Sequence, residues 1–442
     1  MGLFKSSTPT PKPNLALQLA SPKDQVFKPN DTVYGQVTLT TPIILQPQAI
    51  EVSLCGHSAV WLRTSHRHNN NTSYTHYRDN VPLFAVTQNL FSNPQPLNPG
   101  EEYTFPFSFR VPEGTGTSRL GGYKNDADER WTVHPHALPP TFIWGHRATF
   151  SSSIEPEWDN LPPNSASVAY AVTVRLICPD MPVEKTFSMR LGLTGDPGPL
   201  SCTAPILFQP PNIHANAPIG MIRHPKAFTL ASSSLSGKDL SSIGFRQKLA
   251  DRFSSDTPKL DFESAIELPN LLTSGSEFQF RSSFSVLTKS ENVVHIPAIT
   301  FKVLKLDLLD FTFVRAARDY GANSMMSGHH FREPEDLPTG AFSGYEKVDF
   351  DEKKTALNSI PDAKTLELEE VMVPGEKKGV GQAGSAEVWF SSRVPGFTPP
   401  SFRSFAISRL YRLRVKMEIQ IGEKKFEHQV ESYVQSLGGA PN

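Results

Sequence analysis

Phe109-Arg110-Val111-Pro112 opens a pattern that the chain contains twice. The first copy continues with a proline pair and a tyrosine-centred strand: Leu138-Pro139-Pro140-Thr141-Phe142 and Val168-Ala169-Tyr170-Ala171-Val172-Thr173-Val174. The second copy has the same order: Phe390, Arg393-Val394-Pro395, Thr398-Pro399-Pro400-Ser401-Phe402 and Leu410-Tyr411-Arg412-Leu413-Arg414-Val415-Lys416-Met417. A repeat with so long a period indicates two copies of a domain rather than a stack of short units.

The repeat predicts an all-β chain with two tandem β-sandwich lobes. Aligned on their tyrosines, the two closing strands keep apolar residues at the inward positions, as a shared core requires. The 442 residues suffice for two cores, and 39 prolines favour strands and turns over helices. The predicted order is a flexible tail (1–13), a first sandwich (14–196), a Ser/Pro-rich linker or insertion (197–257), a second sandwich (258–434) with an irregular insertion (319–362), and a tail (435–442).

Composition excludes several classes of function. The net charge is −1, whereas a general nucleic-acid binder normally carries a basic field, so no nucleic-acid partner is predicted. The three cysteines, Cys55, Cys178 and Cys202, lack the spacing of a disulfide framework or zinc site. This pattern favours a reducing, intracellular compartment. No apolar run is long enough to span a bilayer, so no spanning segment is expected. The first twenty residues are polar and interrupted by proline, so no signal peptide is expected either.

No motif indicates catalysis, a metal or a cofactor. Gly379, Gly381 and Gly384 form a Gly-x-Gly-x-x-Gly, but no helix pattern follows it, as a dinucleotide site would require. The four histidines His57, His66, His68 and His76 have irregular spacing; the segment 65–80 reads as a polar hairpin loop, so we interpret them as solvated. Adjacent carboxylates such as Glu101 and Glu102 point to opposite faces of a strand and cannot act jointly on one bond.

Charge and terminal sequence give two candidate sites. Between Arg403 and Lys425, seven basic and two acidic residues leave a net charge of +5, and Arg412, Arg414 and Lys416 share one face of the closing strand. Such a row either discourages strand aggregation or contacts acidic cargo tails, phosphorylated segments or anionic lipid. Met1 to Ser6 fits the myristoylation pattern, which makes Gly2 a candidate lipidation site. Phe245, Leu249 and Phe253 additionally have the spacing of a short basic amphipathic helix.

The order of these motifs resembles the α-arrestins, especially their fungal branch. In the first lobe the resemblance rests on Phe27-x-Pro29-x-Asp31-x-Val33-x-Gly35-x-Val37, followed by Tyr103-x-Phe105-x-Phe107 and the first copy of the repeat. In the second lobe it rests on residues 303–316 and 394–417. Asn30 stands where the family pattern usually has glycine, and asparagine tolerates the left-handed turn geometry.

The resemblance implies two immunoglobulin-like β-sandwiches and a non-catalytic adaptor at the cytoplasmic side of the plasma membrane or endosomes. Such adaptors link transporter or receptor tails to a HECT-type ubiquitin ligase, usually through Pro-Pro-x-Tyr, and this chain has no such motif. Its proline pairs are followed by Phe, Ser or Ile at that position. The ligase contact therefore requires a degenerate site or a second arrestin, and the alternative is an arrestin-fold signalling or sorting scaffold like the retromer cargo subunits.

Overall fold

The computed structural model of the chain describes residues 12–68, 71–92, 95–116, 118–119, 123, 128–145, 163–179, 200–210, 219–237, 257–319, 346–357, 360–366 and 385–437. Most of these residues (68%) lie in β-strands, and one short 3-10 helix lies at Ser233–Ser236, so the predicted all-β fold class is confirmed. The chain forms two compact units. The first comprises Met1–Pro211, Thr312–Phe350 and Phe402–Ser408, and the second comprises Asn212–Phe311, Asp351–Ser401 and Arg409–Asn442.

The first unit contains two sheets around one core. A three-stranded antiparallel sheet has the order β1-β3-β6, and the facing sheet has the order β5-β4-β8-β9-β2, with β7 paired to β8. Alternate residues of both sheets point into a shared core, among them Val33 and Val37 from β3 and Val172 and Val174 from β8. The strands are β1 Asn14–Leu19, β2 Val26–Phe27, β3 Thr32–Thr40, β4 Ala49–His68, β5 Asn71–Asn89, β6 Glu102–Arg110, β7 Phe142–Gly145, β8 Ser165–Ile177 and β9 Leu200–Phe208.

The second unit also contains two sheets. One has the order β10-β11-β13-β17, and the other contains β12-β20-β19-β14 with β16 paired to β14. Phenylalanines of the first sheet meet the apolar side of β19 in one core. The remaining strands are β10 Met221–Ala231, β11 Lys259–Pro269, β12 Leu271–Thr273, β13 Glu277–Lys289, β14 Ile299–Arg318, β15 Glu346–Ala356, β16 Lys364–Leu366, β17 Ser385–Arg393, β18 Phe402–Arg403, β19 Ile407–Ile421 and β20 Lys424–Leu437.

The repeated motif has the same hydrogen bond in both copies. The Tyr170 hydroxyl donates to the carbonyl of Pro139 at 2.6 Å, and the Tyr411 hydroxyl donates to the carbonyl of Pro399 at 2.9 Å. Both tyrosines are buried, so each bond satisfies a phenol in an apolar core. We call this contact the tyrosine latch. It supports the interpretation that these proline pairs are structural.

The structure differs from the sequence prediction in three segments. The range predicted as a linker, 197–257, contains β9 and β10; each carries a proline, Pro205 or Pro225, which interrupts the strand pattern in sequence but is tolerated near a sheet edge. The predicted polar loop 65–80 instead forms the paired ends of β4 and β5. Part of the predicted insertion 319–362 forms β15.

Of the remaining predicted features, the turn at Asn30 is described by the structure and three others are not. Asn30 has φ of 70°, which is the left-handed geometry expected at this turn. The candidate helix with Phe245, Leu249 and Phe253 and the Gly-x-Gly-x-x-Gly at 379–384 lie outside the described residues. Gly2 lies outside them as well.

Candidate functional site

The basic row of β19 lies on the outer face of its sheet. Arg412, Arg414 and Lys416 have side chains that are 35%, 24% and 31% exposed, and the intervening Leu413 and Val415 are fully buried. The alternation of a strand separates these two sets, because successive side chains point to opposite faces. The structure therefore brings the three predicted residues together on one accessible face.

Carboxylates of the next strand accompany this row. Arg414 Nε lies 2.6 Å from Glu431 Oε1, and Lys416 Nζ lies 2.8 Å from Glu427 Oε2. Arg412 Nη1 is 3.8 Å from Glu431 Oε2. On this face, the β19–β20 pair carries four basic and three acidic side chains, a net charge of +1: Arg412, Arg414, Lys416, Lys425, Glu418, Glu427 and Glu431. These two strands are thus far less basic than the +5 counted along the sequence, and β14 adds Lys302 opposite Glu418 and Lys305 opposite Lys416.

Arg412 is additionally held by aromatic rings. Its guanidinium carbon lies 4.3 Å from the ring centroid of Tyr433 and 5.1 Å from that of Phe311. The guanidinium also donates a hydrogen bond to the Tyr433 hydroxyl. Stacking on ring faces suits the planar guanidinium, and it orients the group before any partner arrives.

The four histidines singled out in the sequence, His57, His66, His68 and His76, do not converge, and the buried His57 is not solvated as predicted. His57 is buried in the middle of β4, whereas His66 and His68 are exposed at its end. His76 Nδ1 accepts a hydrogen bond from the Trp61 indole at 3.1 Å. Within the described part of the chain, no group of three or more His, Cys, Asp and Glu side chains is placed to hold a metal ion.

His57 makes the first unit sensitive to acid. Burial lowers the pKa of His57 from 6.5 to about 4. The unfolded chain therefore binds a proton that the folded chain does not over this range, so stability is full above about pH 6.5 and falls as the pH drops to 4. We expect a loss of about 3 kcal/mol from this group. Urea unfolding at several pH values, measured for this chain and for His57→Asn, separates the effect of the imidazole from that of the carboxylates. An equal change of unfolding free energy with pH in the two proteins would contradict the prediction.

A buried charged cluster lies in the first unit, and sequence analysis did not identify it. Asp79 on β5 accepts hydrogen bonds from Arg119 and from the Tyr123 hydroxyl. Both Asp79 and Tyr123 are buried, and burial together with the Asp79 charge raises the pKa of Tyr123 well above its usual value. The Tyr123 hydroxyl consequently stays protonated and remains a donor to the carboxylate.

Arg315 completes this cluster. Its side chain is fully buried, with its guanidinium carbon 3.7 Å from the Tyr123 ring centroid and 4.8 Å from that of Trp131. Arg315 Nε donates to the carbonyl of Phe405 at 2.8 Å. Residues from four separate stretches of sequence meet here, which no single motif could have indicated. Buried charges that are paired and stacked hold these stretches in one arrangement.

The segment containing β1 to β6 and Tyr123 corresponds to a known domain. Residues 16–125 match the family model of the arrestin (or S-antigen) N-terminal domain. The chain is therefore arrestin-like in this region, in agreement with the predicted resemblance, and the match does not distinguish the α-arrestin subtype. No curated protein matches the sequence. In the described part of the chain, no helix is long and apolar enough to cross a membrane.

Proposed function

We propose that this chain is a non-catalytic arrestin-like adaptor that links transporter or receptor tails to ubiquitin-dependent endocytosis. The observation that carries the proposal is the match of residues 16–125 to the arrestin N-terminal domain, set in a β-sandwich unit. A second sandwich with the same tyrosine latch supports a two-lobed arrestin architecture. The proposed location is the cytoplasm, with recruitment to the periphery of the plasma membrane or endosomes.

Proximity labelling in cells tests this proposal by identifying the proteins that lie near the chain, including its cargo. Labelling of transporters or receptors together with endocytic proteins is the expected result. A labelled set without membrane proteins would contradict it.

Burial of a proline pair bears on the link to a ubiquitin ligase. In the first copy of the repeat, Pro139 and Pro140 are buried and the Pro139 carbonyl accepts the Tyr170 hydroxyl. A buried pair is a poor ligand for a domain that must surround an exposed proline helix. This observation favours coupling through a second arrestin, or the alternative function of a signalling or sorting scaffold without direct ligase contact.

Co-precipitation separates these alternatives. The full chain is compared with three variants, in each of which one accessible or undescribed proline pair is replaced by alanine: Pro162-Pro163, Pro210-Pro211, or Pro399-Pro400, whose first proline is exposed. Recovery of a HECT-type ligase that is lost in a variant would support direct contact. Recovery that persists in all three variants would support indirect coupling, and recovery under no condition would favour the scaffold.

The outer face of β19 is the proposed contact for anionic lipid or acidic cargo tails. Arg412→Gln with Arg414→Gln is expected to weaken binding to vesicles containing phosphatidylserine several-fold, because two cations are lost. Glu427→Gln with Glu431→Gln on β20 should strengthen it, because the carboxylates that offset the row are removed. Opposite effects of these two pairs exclude a general loss of folding. Equal binding by all three proteins, measured by co-sedimentation, would contradict the proposal.

Gly2 is the proposed lipid attachment site. One myristoyl chain gives only marginal and reversible membrane binding, so a second signal such as the basic row is required for stable recruitment. Gly2→Ala should therefore reduce membrane recruitment in cells, and mass spectrometry of the N-terminal peptide reports directly whether the chain is acylated.

A further inference from the structure

A group of two lysines and one buried aspartate lies in the second unit, beside a β-bulge. The pairing of β14 with β19 shifts register between Val303 and Lys305. Asp307 follows two residues later, and its side chain has no exposed surface. Lys305 Nζ and Lys354 Nζ, the latter from β15, each lie 3.5 Å from the same oxygen, Asp307 Oδ2. No described residue donates a hydrogen bond to either carboxylate oxygen.

The charges of this group do not balance. Two ammonium groups that approach one oxygen must lie close together, and a single carboxylate compensates only one of them. Lys416 lies opposite Lys305 in the β14–β19 register, and its own partner is Glu427 on β20. The cation opposite Lys305 in the register thus has its own counter-ion. A like charge held within a few ångströms disfavours the protonated form of a lysine.

The acid–base behaviour of Lys305 agrees with this geometry. The neighbouring Lys354 lowers the pKa of Lys305, and Asp307 opposes the change without cancelling it. A lowered pKa increases the fraction of free amine near neutral pH, and the free amine is the nucleophilic form. Lys305 is also reachable, because its side chain is 43% exposed.

We propose that Lys305 Nζ is a modification site that acyl thioesters acylate in preference to other exposed lysines of the chain. The nitrogen lone pair attacks the thioester carbonyl carbon, a C–N bond forms and the C–S bond breaks. The thiolate leaves, and the proton released from the nitrogen converts it to a thiol. The product is a neutral amide at Lys305.

Acylation resolves the charge imbalance that favours it. The amide removes one of the two cations, and Lys354 then pairs alone with Asp307, one charge against one. The fold should accept this modification, because the buried carboxylate keeps a counter-ion. By contrast, acylation of Lys354 and Lys305 together would leave Asp307 without either lysine.

Lys425 is the matched reference within the chain. It pairs with a single carboxylate, Glu418, at 3.0 Å, and its side chain is 58% exposed. Lys425 is more accessible than Lys305, so faster acylation of Lys305 cannot be explained by exposure. The charge environment is the difference between the two amines.

Acetylation of the full chain by S-acetyl-N-acetylcysteamine, a small acetyl thioester, tests the proposal. Peptide mass spectrometry gives the rate at each lysine between pH 7 and 10. We expect Lys305 to react several-fold faster than Lys425 near pH 7.5. As the pH is raised, the rate at Lys305 should reach its plateau at a lower pH than the rate at Lys425. Equal rates, or faster reaction at Lys354, would overturn the assignment to Lys305.

Substitution of Lys354 separates charge from packing. Lys354→Met removes the second cation and should slow Lys305 to the rate of Lys425, whereas Lys354→Arg keeps the cation and should keep the fast rate. Both variants retain a long side chain. The unchanged rate at Lys425 verifies that the reagent acts equally, and an unchanged urea unfolding midpoint verifies that each variant is folded. Identical Lys305 rates in the methionine and arginine variants would exclude the proposed activation.

Discussion

Asp79→Ala is expected to lower the free energy of unfolding of the first unit by about 3–5 kcal/mol. The substitution removes the acceptor for both Arg119 and the Tyr123 hydroxyl. Arg119 and Arg315 would then keep their positive charges in a buried site without this carboxylate, and uncompensated burial of charge is costly. The loss should exceed that from truncating a surface ion pair by several-fold.

The tryptophans allow this unit to be followed alone. Three of the tryptophans that the structure describes, Trp61, Trp131 and Trp144, belong to the first unit, and Trp389 belongs to the second. In a background with Trp158→Phe and Trp389→Phe, urea unfolding monitored by fluorescence therefore reports the first unit. Asp319→Ala is the matched control, because Asp319 pairs with Arg78 at a partly exposed position. We expect the control to change stability by about 1 kcal/mol or less. Equal losses in the two variants would contradict the assigned role of Asp79.

The core of each sandwich could be predicted from the sequence because a strand has a simple period. Val172 and Val174 in one copy, and Leu413 and Val415 in the other, alternate with outward residues, and all four are buried. The same comparison identified the two tyrosines, but the sequence did not predict which proline carbonyl each hydroxyl contacts. Local periodicity therefore predicts which side chains of a single strand are buried.

Features that depend on pairing between distant segments could not be predicted from the sequence. The ends of β4 and β5 beyond Leu62 form an exposed ribbon, so they lack the hydrophobic alternation that indicates a strand. The Asp79 cluster joins residues up to 326 positions apart, from Asp79 to Phe405. Neither feature leaves a local signal.

The carboxylates beside the basic row could have been found. Gly422 and Glu423 separate β19 from β20, and so short a connection implies an antiparallel hairpin. Counting outward from this turn places Glu431 opposite Arg414, as the register shows. The charge of a strand face should therefore be counted over its hairpin partner as well, because the partner contributes half of the neighbours.

Tyr170→Phe and Tyr411→Phe are each expected to cost about 1–3 kcal/mol, because each removes the donor to a proline carbonyl in an otherwise intact core. Phenylalanine keeps the ring, so the change isolates the hydroxyl. Tyr34→Phe is the control: Tyr34 lies on β3 with half of its side chain exposed, and a change within about 0.5 kcal/mol is expected there. Urea unfolding measures the variants of the first unit, and hydrogen exchange of β19 measures Tyr411→Phe.

The two latch variants also test the structural interpretation of the proline pairs. If the Tyr170 hydroxyl holds the Pro139 carbonyl, its loss should increase hydrogen exchange in the segment 141–145, which follows the pair. Increased exchange there, with ligase recovery unchanged, is the result expected of a proline pair that stabilises the sandwich and does not bind a WW domain. Stability equal to that of Tyr34→Phe would contradict the latch. A gain of ligase binding in Tyr170→Phe would instead show that the latch conceals a functional ligand, and the proline pairs would then have both roles.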